Sequence, residues 1–158
     1  MKIGLFLNPK KDQTEVVDLI KAECNQRGYV LDDENPDIVI FVGGDGTFLR
    51  AVQHYIDKLD SISFVGVNDG TLCFFFDYTS KDIAHLFRKI EKVEYVITPH
   101  RLLKGHLVFD DGVEDDVYAV NEIRIENPFH TLVSDINVNG ELLENFRGNG
   151  LVVSATDQ

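Results

Sequence analysis

The residues Ile38-Val39-Ile40-Phe41-Val42 are apolar at every position and pass straight into Gly43-Gly44-Asp45-Gly46-Thr47. A strand without polar alternation has both faces covered, which is the situation of a central strand in a parallel sheet layered between helices. The surrounding pattern agrees with that placement. Lys2 to Asn8 is an apolar run ended by Pro9, and Asp12-x-x-Glu15 supplies a capping box for a helix that carries Val16, Val17, Ile20 and Cys24 on one face and stops at Gly28. A short strand at Tyr29 to Leu31 and an acidic turn from Asp32 to Pro36 lead into the apolar run. Beyond the glycines, Phe48 to Lys58 is expected to be a helix, Ser63 to Val67 a second buried strand, and Ser80 the cap of a helix through Ile90. The implied fold class is α/β, an open doubly wound lobe with the glycine loop at its edge.

From Glu94 onward the period changes to strands separated by turn residues. Asp110-Asp111-Gly112 separates Leu102 to Phe109 from Asp116 to Val120, and Asn139-Gly140 separates Asp135 to Val138 from Glu141 to Phe146. Asn-Gly in a two-residue loop is a strong hairpin signal, because both positions must take positive φ. The expected organisation is therefore an α/β lobe at residues 1–95 and the start of an all-β lobe at residues 96–158. A chain of 158 residues with 44% hydrophobic content has material for one good core or two small lobes.

The formal net charge of −12 disfavours nucleic acid and anionic membranes as partners, so a phosphate ligand needs a local cradle or a metal ion. The opening residues Met1 to Pro9 contain a short apolar run without a small-residue cleavage site, and no later stretch approaches a membrane span. We read the chain as cytoplasmic, with Cys24 and Cys73 as buried reduced thiols. The five histidines, His54, His85, His100, His106 and His130, share no ligand or triad spacing, and no protein metal centre is expected.

A glycine loop between a buried strand and a helix presents backbone N–H groups and a helix N-terminus to anions. Two familiar variants do not fit. A P-loop needs a Lys-Ser/Thr pair after its second glycine, and a dinucleotide fingerprint needs a third glycine where Leu49 stands. What distinguishes this loop is Asp45, a carboxylate set inside a phosphate cradle, where it would repel a simple anion. Beside phosphates it has two uses: taking the proton of an attacking hydroxyl, or holding the metal that bridges phosphates. The competing structural use is as a cap for a helix beginning at Thr47.

Strand-GGDGT-helix resembles the loop shared by NAD kinases, diacylglycerol-type lipid kinases and phosphofructokinases. Further motifs separate them. Gly66-Val67-Asn68-Asp69-Gly70-Thr71-Leu72-Cys73-Phe74-Phe75 looks like the NAD kinase segment Gly-Ile-Asn-x-Gly-x-Leu-Gly-Phe-Leu, departing at Cys73. Tyr118-Ala119-Val120-Asn121-Glu122 resembles Ala-Leu-Asn-Glu/Asp, and Phe146-Arg147-Gly148-Asn149-Gly150-Leu151-Val152-Val153-Ser154 resembles Arg-Gly-Asp-Gly-Leu-Ile-Val-Ser/Ala. The resemblance spans Met1 to about Ser154. It implies a two-domain kinase that transfers a phosphoryl group from ATP with Mg²⁺, or from polyphosphate, to the 2′-hydroxyl of the adenosine ribose of NAD, giving NADP.

By that resemblance Asp45 is the catalytic base. Gly43, Gly44, Gly46, Thr47, Asn68, Phe74, Asn121, Glu122, Arg147 and Asn149 are the nucleotide-binding set, and the protein is a homo-oligomer. The residue types suit these tasks: an amide reads an adenine edge, a carboxylate accepts from ribose hydroxyls, and an aromatic face stacks on a base. Plainer roles stand beside them: Phe74 in a core strand, Asn121 and Glu122 ending an edge strand, Arg147 in an ordinary ion pair. Two departures bear on activity. Asn149 replaces the aspartate of Gly-Asp-Gly, keeping hydrogen bonding and losing a charge. The chain also stops at Ser154-Ala155-Thr156-Asp157-Gln158, where the family continues with Thr-Pro-Thr-Gly-Ser-Thr-Ala-Tyr, which implies a truncated member with uncovered strand edges and apolar faces. Another GGDGT kinase, acting on a lipid or sugar phosphate, and a catalytically silent NAD-binding or oligomerisation fragment are the alternatives.

Overall fold

The structure is a computed structural model that describes residues 1–68 and 74–154. Asp69 to Cys73 and Ala155 to Gln158 lie outside the described residues, and with them the departure at Cys73 and the expected thiol there. The chain divides into two compact units, Met1–Thr98 and Pro99–Gln158.

The first unit is a five-stranded parallel sheet in the order β2-β1-β3-β4-β5. Its strands are β1 (Lys2–Leu7), β2 (Val30–Leu31), β3 (Ile38–Gly43), β4 (Ser63–Asn68) and β5 (Tyr78–Thr79), connected through α1 (Thr14–Arg27), α2 (Asp45–His54) and α3 (Ile83–Lys92). As the apolar run requires, β3 is central and buried at all six positions. Strand periodicity divides its side chains between two layers. Ile38, Ile40 and Val42 join Ile20 and Cys24 of α1 and Ile83, Leu86, Phe87 and Ile90 of α3 in one core. On the other face Phe41 meets Phe48 of α2 with ring centroids 5.1 Å apart. Helices thus cover both faces, the doubly wound arrangement. The buried residues of α2 and its end, Phe48, Ala51, Val52 and Tyr55, recur at the three- and four-residue spacing of one helical face.

Local details differ from the sequence reading. The Asp12–Glu15 capping box does not form: the cap of α1 is Gln13, without a side-chain cap bond. Asp12 Oδ1 instead accepts from Thr14 N and Thr14 Oγ1 at 3.1 and 2.7 Å. The helix expected from Phe48 to Lys58 starts at Asp45 and breaks at Tyr55 into a 3₁₀ turn, Ile56–Lys58. A 3₁₀ turn, Ser80–Asp82, precedes α3, and its cap is Thr79, paired reciprocally with Asp82, rather than Ser80.

Cys24 is 1% exposed, and burial pushes its thiol up to about 11. The nearby Arg27 works against that rise and is outweighed. The thiolate is the reactive form, so alkylation by iodoacetamide at neutral pH is expected to leave Cys24 unmodified in the native protein and to label it after denaturation. Rapid native labelling, read by mass spectrometry of the peptide, would contradict this packing.

The second unit is built from β6 (Leu103–Val108) with β7 (Glu114–Ala119), β8 (Glu122–Glu126) with β11 (Gly150–Ser154), and β9 (Leu132–Val138) with β10 (Glu141–Gly148), three antiparallel pairs. The Asn139-Gly140 turn has φ of 53° and 86°, the positive values its sequence implied. Across the β6–β7 pair, hydrogen bonds from Lys104 and then His106 hold the Asp116 carboxyl below the usual carboxylate range. Among the described residues, every buried hydrophobic side chain lies in the first unit, while Val133, Val138, Leu142, Leu143, Val152 and Val153 of the second are exposed.

Candidate functional site

In an open parallel sheet, ligands bind outside the carboxyl ends of the strands where strand order reverses. Here the chain adds β2 on one side of β1 and β3 on the other, so the reversal lies between β1 and β3. Gln13 bridges the two strand ends: its Nε2 donates to Val42 O at 3.0 Å, and its Oε1 accepts from Asn8 N at 3.0 Å. Motif reading missed this residue, because a glutamine between two strand ends has no sequence signature. The only cue was an amide in a linker that the structure then buries to 7% exposure.

The glycine loop leaves β3 at that edge. Gly43 pairs with Asn68 at the end of β4, which brings two of the expected residues side by side. Gly44 is the N-cap of α2, and its carbonyl accepts from Thr47 N at 2.7 Å. The opening amides of Asp45 and Gly46 belong to the first turn, which has no intrahelical acceptors. Thr47 is buried, and its Oγ1 accepts from the Arg50 guanidinium at 3.4 Å, while Arg50 Nε donates to Gly46 O at 3.2 Å. Arg50 is a second residue that motif reading missed, a cation folded back on the loop from one helical turn away.

Gly43 has φ of +150°, and a Cβ there would collide with the Thr47 hydroxyl. Gly43→Ala therefore forces both an unfavourable backbone and a displaced Thr47, and is expected to cost about 1–3 kcal/mol. Thermal unfolding of the variant checks this; an unchanged Tm would mean the loop relaxes freely.

Asp45 does not cap the helix by its side chain. Its carboxylate reaches across to the segment after β4, where Oδ1 accepts from Phe74 N at 3.0 Å and from Phe75 N at 3.4 Å, and Oδ2 accepts from Phe74 N at 3.3 Å. Of the three consecutive phenylalanines, two pack inward: Phe75 against Phe48 with centroids 4.6 Å apart, and Phe76 against Phe41 at 4.9 Å. Phe74 is 89% exposed. The core alternative for Phe74 is thereby removed, since its neighbours fill the core places.

In the second unit, Asn121 sits in the link between β7 and β8, and Glu122 opens β8 opposite Ser154. The Glu122 carboxylate accepts from Arg124 Nε at 2.8 Å. Arg147 is near the end of β10, and Asn149 lies in the link to β11, its carbonyl accepting from Asn127 N at 3.1 Å. Asn149 also lines a cavity of about 500 Å³ with Asn127, Phe129, His130 and Val152. Glu122 and Asn149 flank opposite ends of the β8–β11 ladder, about 17 Å apart along the strand. They are not brought together at one point.

Among the described residues, no group of three His, Cys, Asp or Glu side chains is placed to hold a metal ion. Among them, too, no helix is long and apolar enough to cross a membrane.

Comparison with known proteins places this geometry in context. The ATP-NAD kinase N-terminal domain matches residues 4–95. An NAD kinase of Leuconostoc citreum is 39% identical over 154 residues, 98% of this chain and 58% of that protein. An NAD kinase of Limosilactobacillus reuteri is 36% identical over 154 residues, 98% of this chain and 57% of that protein. The chain thus spans somewhat more than half the length of these relatives. The crystal structure of yeast NADH kinase complexed with NADH superposes with a TM-score of 0.78 at 19% identity, over 98% of this chain and 57% of that one, a likeness of fold. Lipid and sugar-phosphate kinases, which the glycine loop alone left open, are set aside by the first of these matches. A domain match across more than half of the residues means that the chain belongs to the NAD kinase family.

Proposed function

We propose that this chain supplies the phosphoryl-transfer site of an NAD kinase, which moves the terminal phosphoryl group of ATP or polyphosphate to the 2′-hydroxyl of the adenosine ribose of NAD and yields NADP. The observation that carries the proposal is the Asp45 carboxylate, at the carboxyl edge of the sheet, inside a glycine loop and hydrogen-bonded to the segment bearing an exposed aromatic ring. Phosphoryl transfer needs little covalent chemistry from a protein; it needs alignment, charge neutralisation and an acceptor for the hydroxyl proton. Amides at the start of α2 and the Arg50 guanidinium answer the phosphates, Asp45 takes the proton, and the Phe74 face receives adenine.

Asn68, Asn121, Glu122, Arg147 and Asn149 complete the nucleotide-binding set in this reading. An amide at Asn149 retains the hydrogen bonds of an aspartate without its charge. Mg²⁺ fits as an ion carried by the donor's phosphates, since it is ordinarily held by phosphate oxygens and one or two carboxylates rather than by a protein cage. The exposed apolar side chains of the second unit favour a homo-oligomer. Incubation with ATP, Mg²⁺ and NAD, with NADP quantified enzymatically, tests the proposal. Absence of NADP together with absence of NAD binding in calorimetry would sink it.

A further inference from the structure

We infer that Asp45, besides its proposed role toward the ribose hydroxyl, is the positioning residue of Phe74, tying the base and the aromatic platform into one unit. This rests on the nucleotide site proposed above. Phe74 is 89% exposed and makes no ring contact among the described residues, so packing does not hold its place. What holds it is backbone. On its C-terminal side Phe75 and Phe76 are pinned by Phe48 and Phe41, and a side chain at Gly66 would meet Phe76 Cδ1 at 2.6 Å and Phe75 O at 2.7 Å. At Phe74 itself the described restraint is the N–H bond to Asp45, shared between Oδ1 and Oδ2 at 3.0 and 3.3 Å. The Phe75 contact at 3.4 Å is longer and weaker.

A bond to an ionised carboxylate is about twice as strong as a neutral one. A carboxylate has about four lone-pair positions, and these amides leave room for a ribose hydroxyl. The consequence is geometric. A base stacked on Phe74 and a hydroxyl presented to Asp45 belong to one nucleoside, and their protein partners are joined by a single direct hydrogen bond. That bond sets the register between recognition and chemistry, where a displacement of about 1 Å costs about 10²-fold in rate.

Amide exchange of Phe74, followed by NMR on the protein without nucleotide, reads the tie directly. It is expected to accelerate about tenfold or more in Asp45→Ala, and much less in Asp45→Asn, whose Oδ1 still accepts. Equal rates in all three proteins would overturn the tie. Calorimetry with NAD reads its consequence: the affinity lost in Asp45→Ala should shrink by about threefold or more in a Phe74→Ala background. Additive losses mean that Asp45 meets NAD independently of Phe74, and overturn the positioning role. Failure of the unmodified protein to bind NAD would remove the nucleotide reading while the exchange rates still decide the tie. Should Asp45→Ala not fold, Phe74 exchange in Asp45→Ser, which lacks the reach of a carboxylate, replaces it.

Discussion

Asp45→Asn is expected to lower the rate of NADP formation by about 10²- to 10⁴-fold, the range lost when a positioned general base is removed. The substitution is nearly isosteric, so changes in shape contribute little. An asparagine amide cannot take up the hydroxyl proton at neutral pH, yet its Oδ1 can still accept from Phe74 N, which lies 3.0 Å from the present Oδ1. The loss should therefore fall on kcat, with NAD affinity held within about threefold. Steady-state kinetics over a range of NAD concentrations, alongside calorimetry, separates the two quantities. A variant that keeps its kcat would exclude Asp45 as the base. One that keeps kcat but raises KM would leave Asp45 a part in binding NAD and none in the proton transfer.

The first unit was largely legible in the sequence, because its elements announce themselves locally. The run Ile38 to Val42 is buried at every position, and Gly28 ends α1 in the left-handed conformation expected of it. The second unit was half legible. The hairpins were visible through Asp110-Asp111-Gly112 and Asn139-Gly140, whereas β8 and β11 were not. Glu122 to Glu126 and Gly150 to Ser154 pair across more than twenty intervening residues, without a turn to mark them. Glu122, expected as a ligand residue or as a strand end, is the first residue of that strand.

The candidate site followed the same division. Sequence nominated residues for it, but the hydrogen bond from Phe74 to Asp45 joins positions 29 apart in the chain and depends on where β4 leaves the sheet. Helix starts were misplaced for a related reason. Gly46 weakens the local preference for helix near Asp45, and the packing of Thr47 and Phe48 overrides it.

The largest stability effect is expected from Phe41→Ala, about 3–5 kcal/mol. Phe41 is 1% exposed on the central strand, and its ring is flanked by Phe48 and Phe76 with centroids 5.1 and 4.9 Å away. Removing it leaves a cavity between the sheet and α2 that neither neighbour can fill without abandoning another contact, since Phe48 also packs against Phe75 and Phe64. Against the 5–15 kcal/mol typical of a whole folded protein, that is about a fifth of the total or more. Denaturant unfolding should show a lower midpoint at an unchanged m-value. A loss below about 1 kcal/mol would mean that the aromatic layer under α2 is not a packed core. The same substitution frees Phe76, and through it the backbone that carries Phe74. Where Phe41→Ala remains folded at low temperature, NAD affinity should therefore fall, although Phe41 lies beneath the site and is not available to touch a ligand. Phe41→Leu, which refills much of the volume, should restore both properties together, because the wall of the core and the floor of the site are the same three phenylalanines.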